Sequence, residues 1–275
     1  GHERMRPAGE IVEEAKLAAS HGHREIHLLG QIVNHYTAPD RPRCDFASLL
    51  ELVHEVPGVE RIRFASPHPR HVTPRMITAM RDLPKVCRHL HLPVQSGSTN
   101  VLARMRRRHT RQEYLDLVDQ IRSSVPEIAF STDVIVGFPG ETLADFEETL
   151  SLAETVRYHS MFSFKYSERP NTLASKRQTD DVSASEKTRR IVSLQQLQKN
   201  LQAEIHKRSI GSTVEVLVDS TSRKRTWELA GRTSGNTVVN FEASKELIGS
   251  FAQIQITKSG PFSLQGELVQ TTVET

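Results

Sequence analysis

Asp133 interrupts a run, Ser131 to Val136, that otherwise reads as an interior strand of a parallel sheet. Val134, Ile135 and Val136 are consecutive β-branched residues, so both faces of the segment call for burial. A carboxylate in such a place must meet a donor, a cation or a ligand hydroxyl, because an unpaired buried charge is too costly to keep. The strand ends in Gly137-Phe138-Pro139-Gly140, whose glycines let the backbone approach a ligand closely, and Thr142 with Asp145 forms a capping box for the helix that follows. Ligands in α/β folds sit where strands end and helices begin. Applied along the chain, that rule collects Gly30, Gln31, Ser66, Gln95, Ser96, Asp133 and Gly137 at one rim, closed by Lys165, Tyr166 and Arg169. Taken singly, each is also what a turn residue or a satisfied polar group looks like. Together, small and amide side chains at every strand end suit a polar ligand such as a nucleoside.

Other groups have chemistry and a plainer alternative. Arg104, Arg106, Arg107, Arg108 and Arg111 are either a solvated helix face or, just beyond the rim, a contact for carboxylate or phosphate. His89 and His91 face one way and lack a third ligand at a telling spacing, which favours hydrogen-bonded histidines over a metal site. Arg223, Lys224 and Arg225 crowd one loop beside Trp227, as solubilising turns do and as RNA-binding modules also do. There is no Ser-His-Asp arrangement and no phosphate-binding Gly-Lys-Thr loop. Cys44 and Cys87, far apart, read as ordinary reduced residues.

The elements that must position the rim follow from periodicity. Helices are expected from Arg6 to Ser20, Phe46 to Val56, Pro74 to Asp82, before Ser124, and from Thr142 to Val156. Strands are expected in Glu25–Tyr36, Arg61–Pro69, His89–Ser98, around Asp133, and in Met161–Thr172. On the third, His89, His91, Pro93 and Gln95 share one face. Strand and helix alternate as in successive right-handed βαβ units. A closed barrel needs eight such strands, so the expectation is a partial barrel or an open sheet, with at least one strand lying before Gly1. A capping box at Ser183 and Glu186 then starts a helix striped by Ile191, Leu194, Leu197, Leu201 and Ile205, a strut between domains. Short alternating segments broken by Gly, Ser and Asn follow, a small antiparallel barrel. The division is residues 1–182, 183–207 and 208–270.

Composition bounds the class without choosing the function. The 36 basic and 33 acidic residues leave a net charge of +3, no argument by itself for a nucleic-acid partner. With 37% hydrophobic and 25% charged residues the chain is globular in composition, and no apolar run approaches the roughly 18 to 20 residues of a membrane span. Nothing resembles a signal peptide. Gly1 in place of Met leads us to expect a chain that begins inside a longer protein.

LLGQIVNHY, RFASPHP, HLHLPVQSGS, MRRRHT, STDVIVGFPGET and FKYSERPNT, followed by GRTSGNTVVNFE, resemble the radical-SAM methylthiotransferases, most closely their tRNA-modifying MiaB type. A sister group acting on a ribosomal protein shares VQSGS and VGFPGET, and remains the alternative substrate class beside a non-catalytic RNA-binding protein on the same scaffold. The resemblance implies an α/β fold, a partial (open) radical-SAM TIM-like barrel, then a TRAM β-barrel that holds RNA. It implies S-adenosyl-L-methionine (SAM) as the source of a methyl group and of a 5′-deoxyadenosyl radical, with a methylthio group added to isopentenyl-adenosine beside the anticodon. Carried over, Gly30, Gln31, Ser66, Gln95, Ser96, Arg107, Asp133 and Gly137 would line the SAM pocket, and Arg223, Lys224 and Arg225 would grip the tRNA anticodon stem-loop. The family also implies two [4Fe-4S] clusters, with a sulfur donor and an electron donor; from the reduced cysteines the protein is expected in the cytoplasm, and it is expected to be a monomer. The family's cluster-binding cysteine triplets have no counterpart here, so this chain alone is expected to bind neither cluster and not to catalyse.

Overall fold

The computed structural model describes residues 4–168, 178–222 and 225–271. Its amino-terminal part runs α1 (Ala8–Ser20), β1 (Glu25–Leu28), α2 (Phe46–His54), β2 (Arg61–Phe64), α3 (Pro74–Asp82), β3 (His89–His91), α4 (Thr99–Arg104), α5 (Arg111–Ser124), β4 (Ala129–Val136), α6 (Leu143–Val156) and β5 (Ser160–Lys165). The helices begin where side-chain oxygens can take their orphan amides: Asp45 caps α2, Thr73 caps α3, and complete capping boxes start α5 (Thr110, Glu113) and α6 (Thr142, Asp145). Every strand pair in this part is parallel, β1 with β2 and β3 with β4 with β5. A bridge from Ile62 to Val86, with Cys87 donating to the Ile62 carbonyl at 3.0 Å, joins the two groups. The strands therefore follow one another in chain order around an open, incomplete barrel.

Parallel strands alternate faces, and here the alternation separates chemistry from packing. Ile62, Leu90, Leu92, Phe130, Val134 and Val136 are buried against the helices, each 1% exposed or less. Their neighbours Glu25, Arg61, Arg63, His89, His91, Ser131 and Asp133 line the concave side. The strands are shorter than the sequence suggests: β1 stops at Leu28, β3 at His91 and β5 at Lys165. Pro93 has no amide hydrogen and Gln95 takes a left-handed φ of 74°, so the shared face expected from His89 to Gln95 does not extend past His91. The short helix α4, unanticipated, fills the connection after Ser98.

The helix α7 (Ala184–Arg208) is more than a strut. It packs on β5 and α6, burying Leu194 and Leu201. Ser183 accepts from the Glu186 amide, but the Glu186 carboxylate turns to Arg189 and Arg190, so only half of the expected capping box forms. Beyond it, β6 (Thr213–Thr221), β7 (Glu228–Thr233), β8 (Val238–Glu242), β9 (Phe251–Ser259) and β10 (Leu264–Thr271) close into a barrel in the order β10-β8-β7-β6-β9. Four of its pairings are antiparallel and the fifth, β10 with β8, is parallel. A ring of five strands cannot alternate direction all the way round, so the small antiparallel barrel closes through one parallel pair.

Gly97 shows how tightly the third strand's exit is packed. A Cβ there would lie 2.5 Å from the Glu148 carbonyl oxygen and from Thr149 Cα, both helix backbone. Gly97→Ala is expected to destabilise the chain by about 1–3 kcal/mol, read by chemical denaturation; an unchanged midpoint would mean that this exit does not rest on α6.

Candidate functional site

The concave face is a chain of mutually satisfied polar groups. His91 and Ser131 are side-by-side partners across β3 and β4. Ser131 Oγ lies 2.9 Å from both His89 Nε2 and His91 Nδ1. The other nitrogen of His91, Nε2, is 3.5 Å from Asp133 Oδ2. These are the hydrogen-bonded histidines expected from their spacing. Among the described residues, no three His, Cys, Asp or Glu side chains are grouped to hold a metal ion. Arg107 stands near Asp133: burial lowers its pKa, and the carboxylate opposes that.

The floor of the barrel is closed by the small domain. Arg61 is 4% exposed and Arg63 6%. Arg61 donates to the Arg232 carbonyl at 2.7 Å and to Glu215 at 2.9 Å; Arg63 donates to the carbonyls of Thr233 (2.7 Å) and Ser234 (3.1 Å) and to Glu25 at 2.9 Å. Burial by itself would raise the Glu25 pKa, but the hydrogen bond from His27 and the charge of Arg63 outweigh it and hold the carboxylate low. With the β7–β8 turn under the strand starts, the strand ends are the open side.

There the expected rim residues separate into three groups. Gln95, just past β3, forms an isolated bridge to β4 beside Asp133: the Gln95 backbone amide donates to the Asp133 carbonyl at 2.9 Å, and the Gln95 carbonyl accepts from the Ile135 amide at 2.9 Å. With Arg107 and His91 they form the mouth. Gly30 and Gln31 lie exposed after β1, and Ser66, exposed after β2, accepts from the Val33 amide at 3.4 Å, so these loops are tied together at the same end of the sheet. Ser96 and Gly137 do not open to the mouth. Ser96 is fully buried, its hydroxyl 3.4 Å from Thr149 Oγ1 on α6 and accepting from the Ser98 amide at 3.2 Å. The Gly137 amide donates to Glu141 at 2.5 Å, and a Cβ on Gly137 would strike the Lys187 stem, while one on Gly140 would strike Arg104. Those glycines make room for protein side chains.

Lys165 and Tyr166 turn to α7, Lys165 Nζ lying 3.4 Å from Thr188 Oγ1 and the Tyr166 ring 5.2 Å from Lys187 Nζ. Arg169, Arg223 and Lys224 lie outside the described residues. Arg225 pairs with Glu228 at 2.8 Å, beside Trp227, which is 63% exposed. Sequence reasoning missed Arg61 and Arg63, and it missed the histidines after the strand ends. The rings of His68 and His71 are 5.7 Å apart and those of His68 and His109 6.0 Å; Asn34 clamps the His68 backbone with bonds of 3.0 and 2.8 Å. Repeated His in SPHP and RRRHT was the available signal. Left-handed backbone at Ser66, Gln95, Arg106 and Arg108, none of them glycine, marks this rim as strained where a site is expected.

The radical SAM superfamily model matches residues 1–153 and the TRAM domain model residues 207–269. The tRNA-2-methylthio-N(6)-dimethylallyladenosine synthase of Thiobacillus denitrificans is 46% identical over 277 residues, covering 100% of this chain and 61% of that protein. The synthase of the same name from Geobacter metallireducens is 46% identical over 268 residues, covering 98% of this chain and 60% of its own length. The chain thus spans about three-fifths of the length of these relatives. Among solved structures, the coproporphyrinogen III oxidase of Escherichia coli, a radical SAM enzyme, superposes with a TM-score of 0.50 at 13% identity, over 90% of this chain and 60% of that one, a likeness of fold.

Burial keeps three histidines neutral, and this fixes an acid response. It lowers His89 to about 3, helped by Arg63; His68 to about 4, helped by His109; and His159 to about 4, helped by Arg122. A native pKa below the ordinary 6.5 means that the unfolded chain binds more protons as pH falls, so this stability is whole above 6.5 and lost progressively toward 4. The melting temperature is expected to start falling just below pH 6.5, above the carboxylate range, and His89→Gln should flatten that slope. A profile that stays level from pH 7 to 5 would contradict it.

Proposed function

The chain belongs to the radical SAM superfamily, with a TRAM domain behind its barrel, and on that premise we propose that it is the carboxy-terminal part of a tRNA methylthiotransferase. The observation that carries the reading is the Asp133 carboxylate, held on the concave face by His91 and faced by Arg107, above a floor sealed by the small domain.

The mouth fits SAM in its donor set. Asp133 would accept from the ribose hydroxyls, and its neighbour His91, steadied by Ser131, keeps the carboxylate turned to the lumen. Arg107 would pair with the ligand's carboxylate, and Gln95 would offer its side-chain amide just beyond β3. Bound there, SAM would supply the methyl group and a radical. An iron–sulfur cluster does not fit the side chains described. Cys44 and Cys87 are both buried and free, and burial raises both thiols, which holds them protonated. We propose that catalysis needs thiolates from outside these residues.

The substrate we propose is isopentenyl-adenosine beside the anticodon, with residues 208–270 holding the stem-loop and sulfur and electron donors acting from outside. Exposed Trp227 and the neighbouring basic loop suit stacking and backbone contact. No described helix is long and apolar enough to cross a membrane; we propose a cytoplasmic monomer.

Asp133→Asn, placed in the full-length gene, is expected to remove charge-assisted hydrogen bonds to the ribose and to cut methylthio-adenosine in tRNA about tenfold or more. Mass spectrometry of tRNA should show the isopentenyl precursor accumulating, and wild-type methylthio levels would sink the assignment of Asp133. The chain has one tryptophan, so its fluorescence should change when an anticodon stem-loop RNA is titrated in. Unaltered emission at saturating RNA would exclude Trp227 from the interface.

A further inference from the structure

The incomplete barrel leaves an aromatic edge in solvent. β5 ends the order β3-β4-β5, and on its concave face Phe162 is 57% exposed and Phe164 52%. Around this edge runs a groove of about 610 Å³ between β5 and α7. The turn from β9 to β10 adds Phe262 to its lining, 71% exposed. Exposed apolar surface gathered in one place marks an interaction site more often than chance.

The lining chemistry chooses among partners. It carries three phenylalanines, four glutamines, one lysine and no carboxylate. Aromatic rings stack on bases whatever their sequence, glutamine amides reach base edges, and an ammonium meets phosphate. Gln198 adds a sharper sign: it is 7% exposed, its amide nitrogen donates to the Tyr158 carbonyl at 2.8 Å, and its oxygen has no donor. A buried acceptor in a groove wall calls for an N–H or O–H, which a base amine or a ribose 2′-hydroxyl carries. One wall comes from β5 of the barrel, the other from α7, and the TRAM domain contributes Phe262 at one end. The groove also reaches the mouth, because Phe162 is the in-register neighbour of Asp133 and its ring lies 6.1 Å from that of His91.

We propose that this groove receives unpaired nucleotides of the RNA substrate, stacking bases on Phe164 and Phe262 with Lys199 on the backbone. It rests on the RNA reading above and adds a second contact surface to the one expected on the basic loop. The groove delivers the strand to the lumen from the side, where no sixth strand pairs with β5 in the described residues.

The test is fluorescence anisotropy of a labelled anticodon stem-loop RNA titrated with the full chain. Phe164→Ala with Phe262→Ala is expected to weaken binding about tenfold. Lys199→Ala, at an exposed helix position, should lower the slope of log affinity against log salt by about 1. Thermal melts matching the wild type establish that each variant is folded, and Lys199→Ala stands alone if the double variant is not. Wild-type binding with both variants unchanged overturns the groove and leaves the RNA reading standing. No RNA binding by the wild-type chain overturns that reading and this one with it. Unchanged RNA affinity together with an altered sedimentation mass assigns the groove to a protein partner and overturns the proposal.

Discussion

Two guanidinium groups in the floor of an unclosed barrel have to be satisfied, and the placement of the two domains follows from that. A buried cation left without acceptors costs several kcal/mol, on the order of 3–5 when one partner of a buried pair is removed. Arg61 and Arg63 meet the requirement largely with backbone carbonyls of the β7–β8 turn, which have a fixed position and lose no side-chain entropy on pairing. Ser234 adds its hydroxyl as acceptor for the Arg88 amide at 2.8 Å. The turn is thus both a plug and a template for the polar side of the sheet.

At the other end α7 plays the matching part. Glu141, buried at the start of α6, is held by Arg190 at 2.7 Å, and Lys187 lies under Gly137 while pairing with Asp180 at 2.7 Å. Burial raises the Glu141 pKa against the pull of Arg190, so the pair is a positional lock whose net stabilisation is small. Because the turn after β4 is pinned by protein on its outer side, Asp133, three residues before the strand's last residue Val136, is presented to the lumen at a fixed height. Rigid strands carry the polar groups and strained loops close over them, a division of labour suited to gripping a small polar ligand.

The sequence made much of this legible, and what escaped it escaped for a physical reason. Period-two alternation puts His89 and His91 on one face, and the Thr142–Asp145 capping box marks where α6 begins. Ser96 and Gly137 were read from residue type, since a small hydroxyl and a glycine serve an interhelical contact as readily as a ligand; only the packing of α6 and α7 separates the two uses. Arg61 and Arg63 carry no local signal in the sequence, because their backbone acceptors lie about 170 positions away. The parallel pair that closes the small barrel depends on strand parity, which no local window contains.

The floor also imposes an order on how such a chain comes into being. Translation delivers Arg61 and Arg63 long before the carbonyls that hold them, so a nascent barrel emerging from the ribosome carries two guanidiniums that must stay hydrated until the β7–β8 turn arrives. A polypeptide terminated short of residue 232 would keep most of its helices and still lack a sealed base, open to water and to the proteases that clear unfinished products.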